Sequence, residues 1–335
     1  MKIERLAIDD PRAAALLEKH DHTVFQEPDW SMTLHEGLGH DVAWYGLVDQ
    51  DGQLRLALPG IELKLKLLKL FYSHIAYGGF VGQTDLVPTF VEHMPEAFRR
   101  HGVHAVRITQ SAFEDHPEPP GLRHIPAKQH VLHFEGRSAD DLWEGFKGRV
   151  RRDVRRAKNR GGIVVTEATD STPFGRILEL YREVMQRNNS YALWNEAILE
   201  QVLERYVKTG KGEILVAEKD GTMVAAMVVL FSKRVSHWLI GVSDFEYRSD
   251  CPNDLVTWEA IRRTVERGHE AFDFMTSGAE DDALAAFKAK FDSTEHDLHF
   301  WEADFSPTRA WLYRKALGFA KSKFGSTLVR KLYKR

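Results

Sequence analysis

Apolar residues in the second half of the chain gather in three short runs, 213–218, 223–231 and 235–242, that read as successive strands, and Asp220-Gly221 separates the first two as a hairpin turn. The spacing then changes. Residues 253–267 place apolar side chains at helical intervals and stop at Gly268, which suits a helix C-cap. Residues 271–275 read as a short aromatic strand carrying one carboxylate, Asp273. A Ser277-Gly278 turn leads to a short helix that closes in Phe287-Lys288. A carboxylate inside an apolar strand and a lysine on a facing helix read either as a site or as a structural ion pair.

Elsewhere the same two patterns alternate. Asp10 and Pro11 open a helix over 11–20. Strands at 41–48 and 53–61 flank the turn Asp49-Gln50-Asp51-Gly52, and 63–70 alternates at period two before breaking pattern, which reads as a further strand, with an amphipathic helix as the alternative. Tyr77-Gly78-Gly79-Phe80 reads as a loop where backbone approaches a ligand closely. A helix over 85–101 and a strand over 103–109 follow, and the proline-rich stretch 114–126 breaks regular structure before a strand at 131–134. Ser138 to Asp141 fits a helix N-cap. The next helix, through 147–160, has only a thin apolar stripe of Val150, Val154 and Ala157. A strand at 163–167 and helices at 173–187 and 196–208 precede the meander; a strand at 298–302 ends it, and Ser306-Pro307 starts a last helix. Each half therefore runs helices, antiparallel meander, helix, strand. This order predicts an α+β protein of two tandem domains, 1–145 and 146–305, with mixed, mainly antiparallel sheets flanked by helices, followed by a basic helix over 306–335.

The 335 residues leave room for two such domains. No apolar run approaches the roughly 20 residues of a membrane helix, and the N-terminus MKIERLAIDDPR is charged where a signal peptide is apolar. A cytoplasmic location is expected. With Cys251 as the single cysteine and 16 scattered histidines, neither a disulfide nor a metal site is expected. The net charge of −3 conceals a strong asymmetry: 147–160 carries +7, 306–335 carries +9, and the remainder −19. Eight cations in fourteen residues repel one another unless neutralised, which favours a polyanionic partner for 147–160 over a merely solvated face. The 306–335 segment mixes aromatics with nine cations. It reads either as a peripheral contact with the inner membrane face, near a lipid-linked acceptor, or as a helix docked on the second domain.

From about 146 to 296 the order of motifs resembles the second half of a Fem-type acyltransferase of the GNAT superfamily. The matching features are the basic Arg151-Arg152 helix with Ala157 and Gly161, a helix ending in Arg187, the meander 214–242, the helix 254–268, the strand Phe272-Asp273-Phe274 and the closing Phe287-Lys288. The Phe25-Gln26 to Trp30 stretch and Tyr77-Gly78-Gly79 resemble the first half of the same proteins. The resemblance implies two GNAT-like domains and an amide-forming transferase with no tightly bound cofactor. Its donor co-substrate is aminoacyl-tRNA or an acyl-CoA, and its acceptor is a small-molecule or lipid-linked amine of a cell-envelope, peptide or sugar precursor. One departure stands out. Where acetyl-CoA enzymes carry a Gly-rich pyrophosphate loop, this chain reads Arg248-Ser-Asp-Cys-Pro-Asn253, with neither glycine. That favours an aminoacyl-tRNA donor over acyl-CoA-dependent N-acetyl transfer, and it is also the best support for a rival reading, a non-catalytic tRNA- or lipid-binding module on a decayed transferase fold.

Lys288 is the leading chemical candidate, as a cation beside the reacting carbonyl, against a plain surface lysine. Asp273 would orient Lys288 or accept the amine proton, against a structural carboxylate. Asp244 follows the last strand of the meander and reads as catalytic or as a turn residue. Donor-binding candidates are Arg151, Arg152, Arg155 and Arg156 of the basic helix, with Arg248 and Asn253 at the start of the next. Acceptor-groove candidates by resemblance are Trp30, Tyr77, Gly78 and Gly79, against a core or turn reading; Arg107 would pair a substrate phosphate or an internal acid, and Arg187 would reach the acceptor or cap its helix.

Overall fold

The computed structural model describes residues 1–65, 68–188, 192–277, 282–312 and 315. The first half runs β1 (Lys2–Leu6), α1 (Pro11–Lys19), α2 (Pro28–Leu38), β2 (Asp41–Val48), β3 (Leu54–Leu65), β4 (Leu68–Tyr72), β5 (Val81–Gly82), α3 (Val87–Arg100), β6 (Ala105–Gln110) and β7 (Arg123–His133). The second runs α4 (Ala139–Gly145), α5 (Gly148–Arg155), β8 (Val164–Glu167), α6 (Phe174–Arg187), α7 (Glu196–Val202), β9 (Gly212–Lys219), β10 (Thr222–Phe231), β11 (Val235–Ser243), α8 (Pro252–Glu266), β12 (Ala271–Ser277), α9 (Asp282–Ala289) and β13 (Thr294–Asp304). The basic helix expected over 306–335 lies mostly outside the described residues; of it 306–312 and 315 are described, and 307–312 and 315 are helical. Among the described residues, no helix is long and apolar enough to cross a membrane.

Local signals placed most elements. The Asp10 carboxylate accepts from Arg12 N at 2.9 Å to cap α1, and Ser138 and Asp141 form a reciprocal capping box at α4. The thin stripe of Val150, Val154 and Ala157 is buried, and α5 continues into a π-helical turn at Arg156–Arg160. Three local expectations change. The run 63–70 is a hairpin rather than one strand, with Leu63 opposite Leu70 and Leu65 opposite Leu68; both arms of a hairpin alternate, so the pattern could not separate them. The strand expected at 131–134 begins at Arg123, because β7 is flanked by β12 and β13 and tolerates Pro126 within it. The edge strand β1 was not expected, since only Leu6 of its residues is buried.

The α+β class and the tandem order stand, but the two sheets are one. Among the described residues the strands form a continuous sheet in the order β1-β2-β3-β4-β6-β13-β7-β12-β11-β10-β9-β8, with β5 added to β3. Each half contributes an antiparallel meander ending in a parallel pair, β4 with β6 and β11 with β12, bridged by α3 and α8 respectively. The final strands are exchanged at the centre. β7 pairs with β12 of the second half, and β13 inserts between β6 and β7 of the first. Trp301 on β13 is buried there, and its Nε1 donates to Gln110 Oε1 on β6 at 2.9 Å.

Both parallel pairs hold for three residues only, Leu70–Tyr72 against Ala105–Arg107 and Val235–His237 against Ala271–Asp273, and then separate. The first opening is sealed. Ser73 N donates to Arg107 O at 2.9 Å, and Ser73 Oγ accepts from Thr109 N at 2.8 Å. Gly79, at φ +107, presses against Thr109 O so closely that a Cβ would stand 2.7 Å from it. The second opening stays open.

Because β12 and β13 complete their hydrogen bonding only on β6 and β7, we expect that 146–335 expressed alone will not give a cooperative thermal unfolding transition. Co-expression with 1–145 should restore one, monitored by circular dichroism. Cooperative unfolding of the isolated second half would contradict the exchange as a folding constraint.

Candidate active site

The open separation of β11 and β12 forms a cleft of about 670 Å³. Trp238, Leu239 and Val242 line it from β11, and Phe274 and Met275 from β12. Phe287 and Lys288 of α9, Arg187 of α6 and Asn253 of α8 close the sides. The first half contributes Tyr72, Ile75 and Ala76, and the exchanged strand contributes Phe300, so the cleft requires both halves. β11 is irregular here. Val228 pairs with Ile240 and Val229 with Trp238, so Leu239 is skipped as a bulge. A bulge disrupts the ladder and turns backbone groups away from the neighbouring strand. Gly241 lets the Trp238 indole lie flat along the wall, since a Cβ there would stand 2.2 Å from Trp238 Nε1.

Lys288 is 2% exposed. Its Nζ donates to Met275 O at 3.0 Å and Thr276 O at 2.7 Å. It is therefore a buried cation held in the cleft wall, not a surface lysine. It does not pair with the Asp273 carboxylate; the two act on opposite ends of one residue. Asp273 Oδ1 accepts from Met275 N at 2.8 Å, while Lys288 holds the Met275 carbonyl. Met275 adopts φ 61, a left-handed conformation costly for a side chain of this kind, and the pairing of β12 with β7 slips between Asp273 and Thr276. Gripped from both sides, Met275 bends β12 away from β11.

Asp273 stands at the centre of a buried hydrogen-bond network. It is fully buried; His237 Nδ1 donates to it at 2.8 Å and Gln129 Nε2 at 3.1 Å, and the Tyr77 hydroxyl approaches to 3.4 Å. Ser232 Oγ accepts from Val24 N at 2.8 Å, so its own hydrogen is directed to His237 Nε2 at 2.7 Å. Asp244 also serves structure. It caps the turn 245–250 by accepting from Glu246 N at 2.9 Å, and it pairs with Arg176 at 2.5 Å. Neither acid lines the cleft.

Of the acceptor-groove candidates, Arg187 alone reaches the cleft wall. Trp30, Tyr77, Gly78 and Gly79 lie beneath it. Trp30 is fully buried and donates to Ile75 O at 2.9 Å, thereby fixing the Ile75 wall. Tyr77 is buried among Phe25 and His237, and burial with Asp273 nearby holds its hydroxyl well above the usual range. A Cβ on Gly78 would meet Ser73 O. Arg107 pairs with the internal acid Glu302 at 3.2 Å and stacks on Phe300 at 4.5 Å.

Of the donor-binding candidates, Asn253 borders the cleft and Arg156 of the basic helix donates to Ser249 O at 3.4 Å, joining that helix to the turn before α8. Arg151 pairs with Glu144 at 2.6 Å, and Arg155 lies over Trp143 at 5.6 Å. Arg152 is 68% exposed. The first turn of α8 already faces an acid. Asp254 is buried and bonded to Lys290, which also holds Asp153 at 2.9 Å. Burial pushes the Asp254 carboxyl up, whereas Asp153, for which burial is outweighed by Lys290, Arg152 and Arg149, is held low. Asp153, Cys251 and Asp254 are close enough to hold a metal ion, but Lys290 supplies the cation there.

The wall residues Trp238, Leu239, Phe274 and Met275 were not expected from the sequence, where they read as ordinary strand interior. Removing the Asp273 carboxylate leaves several donors unpaired in the core. Asp273→Ala is expected to lower the unfolding free energy by about 3–5 kcal/mol, measured by urea denaturation; a loss well under 1 kcal/mol would show that the network is dispensable.

Residues 145–289 match the family model described as an acetyltransferase (GNAT) domain. No curated protein matches the sequence. Among solved structures, FemX shares 15% identity over 88% of this chain and 96% of its own, with a TM-score of 0.67. A tandem GNAT protein from the clavulanic acid biosynthesis pathway shares 13% over 91% and 99%, with a TM-score of 0.60. L-PGS from Bacillus licheniformis shares 15% over 91% and 96%, with a TM-score of 0.56. At these identities the likeness is one of fold. Residues 145–289 thus form a GNAT-type acyltransferase domain, in a chain that has the tandem fold of Fem-type and tandem-GNAT proteins.

Proposed function

We propose that this chain forms an amide bond by transferring an aminoacyl group from aminoacyl-tRNA to an amine of a cell-envelope, peptide or sugar acceptor. One observation carries the choice of donor. The exposed cations of the basic helix abut, through Arg156 and Ser249, the turn that leads to the cleft mouth at Asn253 and Arg187. A polyanion lying on that helix has its end beside the cleft. The Fem-type resemblance of the motif order points the same way. The buried Asp254 in the first turn of α8, with Asp153 of α5 linked to it through Lys290, opposes a pyrophosphate in the seat that acyl-CoA enzymes use. The Asn253 end of α8 still reaches the cleft, so acyl-CoA is the second reading, and a titrated coenzyme A adduct would favour it. The open cleft beside Lys288 supports catalysis over a decayed binding module. A cell-envelope acceptor, with peripheral membrane contact through 306–335, belongs to the same proposal.

In this scheme the acceptor nitrogen attacks the ester carbonyl of the donor. The new C–N bond forms as the C–O bond to ribose breaks, and the proton lost by the amine ends on the departing hydroxyl. Lys288 places positive charge in the wall next to the developing oxyanion, where the surroundings are largely dry and the charge is preorganised. The displaced backbone at the Leu239 bulge adds polar groups to the same wall.

Lys288→Met is expected to lower kcat by about 10²-fold or more with a smaller change in the donor KM; unchanged turnover with an identified donor would remove Lys288 from the mechanism. Binding of tRNA should weaken steeply with salt, losing close to one unit of log–log slope per neutralised phosphate. The variant Arg152→Glu/Arg155→Glu/Arg156→Glu should flatten that slope by about three units. Salt-independent binding, or none, would turn the assignment toward acyl-CoA.

A further inference from the structure

Phe245 is an aromatic residue that the fold leaves 52% exposed, in the turn just outside the cleft. Two guanidinium groups converge on its ring, Arg248 at 4.1 Å and Arg187 at 5.1 Å from the ring centre. They come from different elements. Arg187 is the last residue of α6 and also lines the cleft, while Arg248 lies in the Phe245 turn and donates to Phe245 O at 2.9 Å. Among the described residues neither arginine forms an ion pair with a carboxylate, unlike Arg151, Arg176 and Arg263. Glu246, in the same turn, is exposed and paired with neither. The turn itself is well anchored, because Asp244 caps it and is tied to Arg176.

We propose that Phe245, Arg187 and Arg248 form a seat for a phosphorylated, unstacked nucleotide at the cleft mouth, the place where the end of the donor passes from the basic helix toward Lys288. An exposed aromatic ring beside cations is the arrangement that holds single-stranded nucleic acid: the ring or a guanidinium plane stacks a base, and the guanidiniums take the adjoining phosphate. Cation–π contacts at exposed sites are weak, so both arginines can turn from the ring to an incoming phosphate at little cost. The seat also supplies by side chains what the missing glycine loop supplies elsewhere by backbone amides. It rests on the donor reading above. It goes further in placing Arg187 on the donor and in assigning a base-stacking residue that no motif marked. An RNA 3′ end and the nucleotide part of coenzyme A share this chemistry.

The test compares binding of three probes: a short RNA hairpin with an unpaired CCA end, the same hairpin without that end, and coenzyme A. Phe245→Ala should melt like the wild type, because the ring is half in water. It should weaken the CCA-ended hairpin about tenfold and leave the blunt hairpin unchanged. Arg187→Gln/Arg248→Gln should flatten the salt slope for the CCA-ended probe by one to two units, while the blunt hairpin still depends on the basic helix. If Phe245→Ala binds the CCA-ended probe as tightly as wild type, yet the triple basic-helix variant loses it, the seat is overturned and the tRNA reading survives. If coenzyme A alone binds, and Phe245→Ala weakens it, the seat stands and the tRNA donor fails. Binding of no probe overturns both.

Discussion

A buried carboxylate holds this molecule in register. Asp273 is fully buried, and an ion in that position is tolerated only when donors surround it. The donors come from far apart: His237 on β11, Gln129 on β7, Tyr77 from the loop that seals the first half, and Met275 two residues along its own strand. Satisfying one ion therefore fixes the last paired position of the parallel strands, the exchanged strand β7 and the packing of one half on the other. Beyond that point β11 and β12 must part.

The cleft follows from that parting. Met275, held left-handed by Asp273 on one side and Lys288 on the other, turns β12 outward, and the bulge at Leu239 turns β11. In the first half the equivalent opening is filled by Ser73 and Gly79. A duplicated architecture thus keeps one working opening and uses the other as a wall, from which Tyr72, Ile75 and Ala76 face the cleft. Lys288 gains its interest from this setting: it closes the bend and at the same time lines the cleft as a buried side chain.

Charge is arranged on a larger scale. Among the described residues many arginines and lysines of the second half are paired with acids, including Arg176 with Asp244, Arg263 with Glu167 and Lys290 with Asp153. Among the described residues Arg155 and Arg156 of the basic helix, with Arg187 and Arg248 at the Phe245 turn, have no carboxylate partner, and the two elements are joined by the Arg156–Ser249 contact. These cations run from the basic helix to the mouth of the open cleft.

Periodicity and caps, which depend on neighbours a few residues away, sufficed to read most strands and helices, the tandem order and the basic helix with its thin buried stripe. The same local information placed Lys288 on a helix facing Asp273, and the resemblance of motif order made it a chemical candidate. Only the tertiary structure could show that Asp273 is spent on His237, Gln129 and Tyr77, because Gln129 lies 144 residues away and Tyr77 lies 196 away. The exchange of β7 and β13, the sealing of the first opening and the burial of Trp30, Tyr77, Gly78 and Gly79 beneath the cleft are likewise pairings between distant segments. A pattern of apolar and polar positions records which face of an element is buried, not what it is buried against, so the elements were legible along the chain and the site was decided where they met.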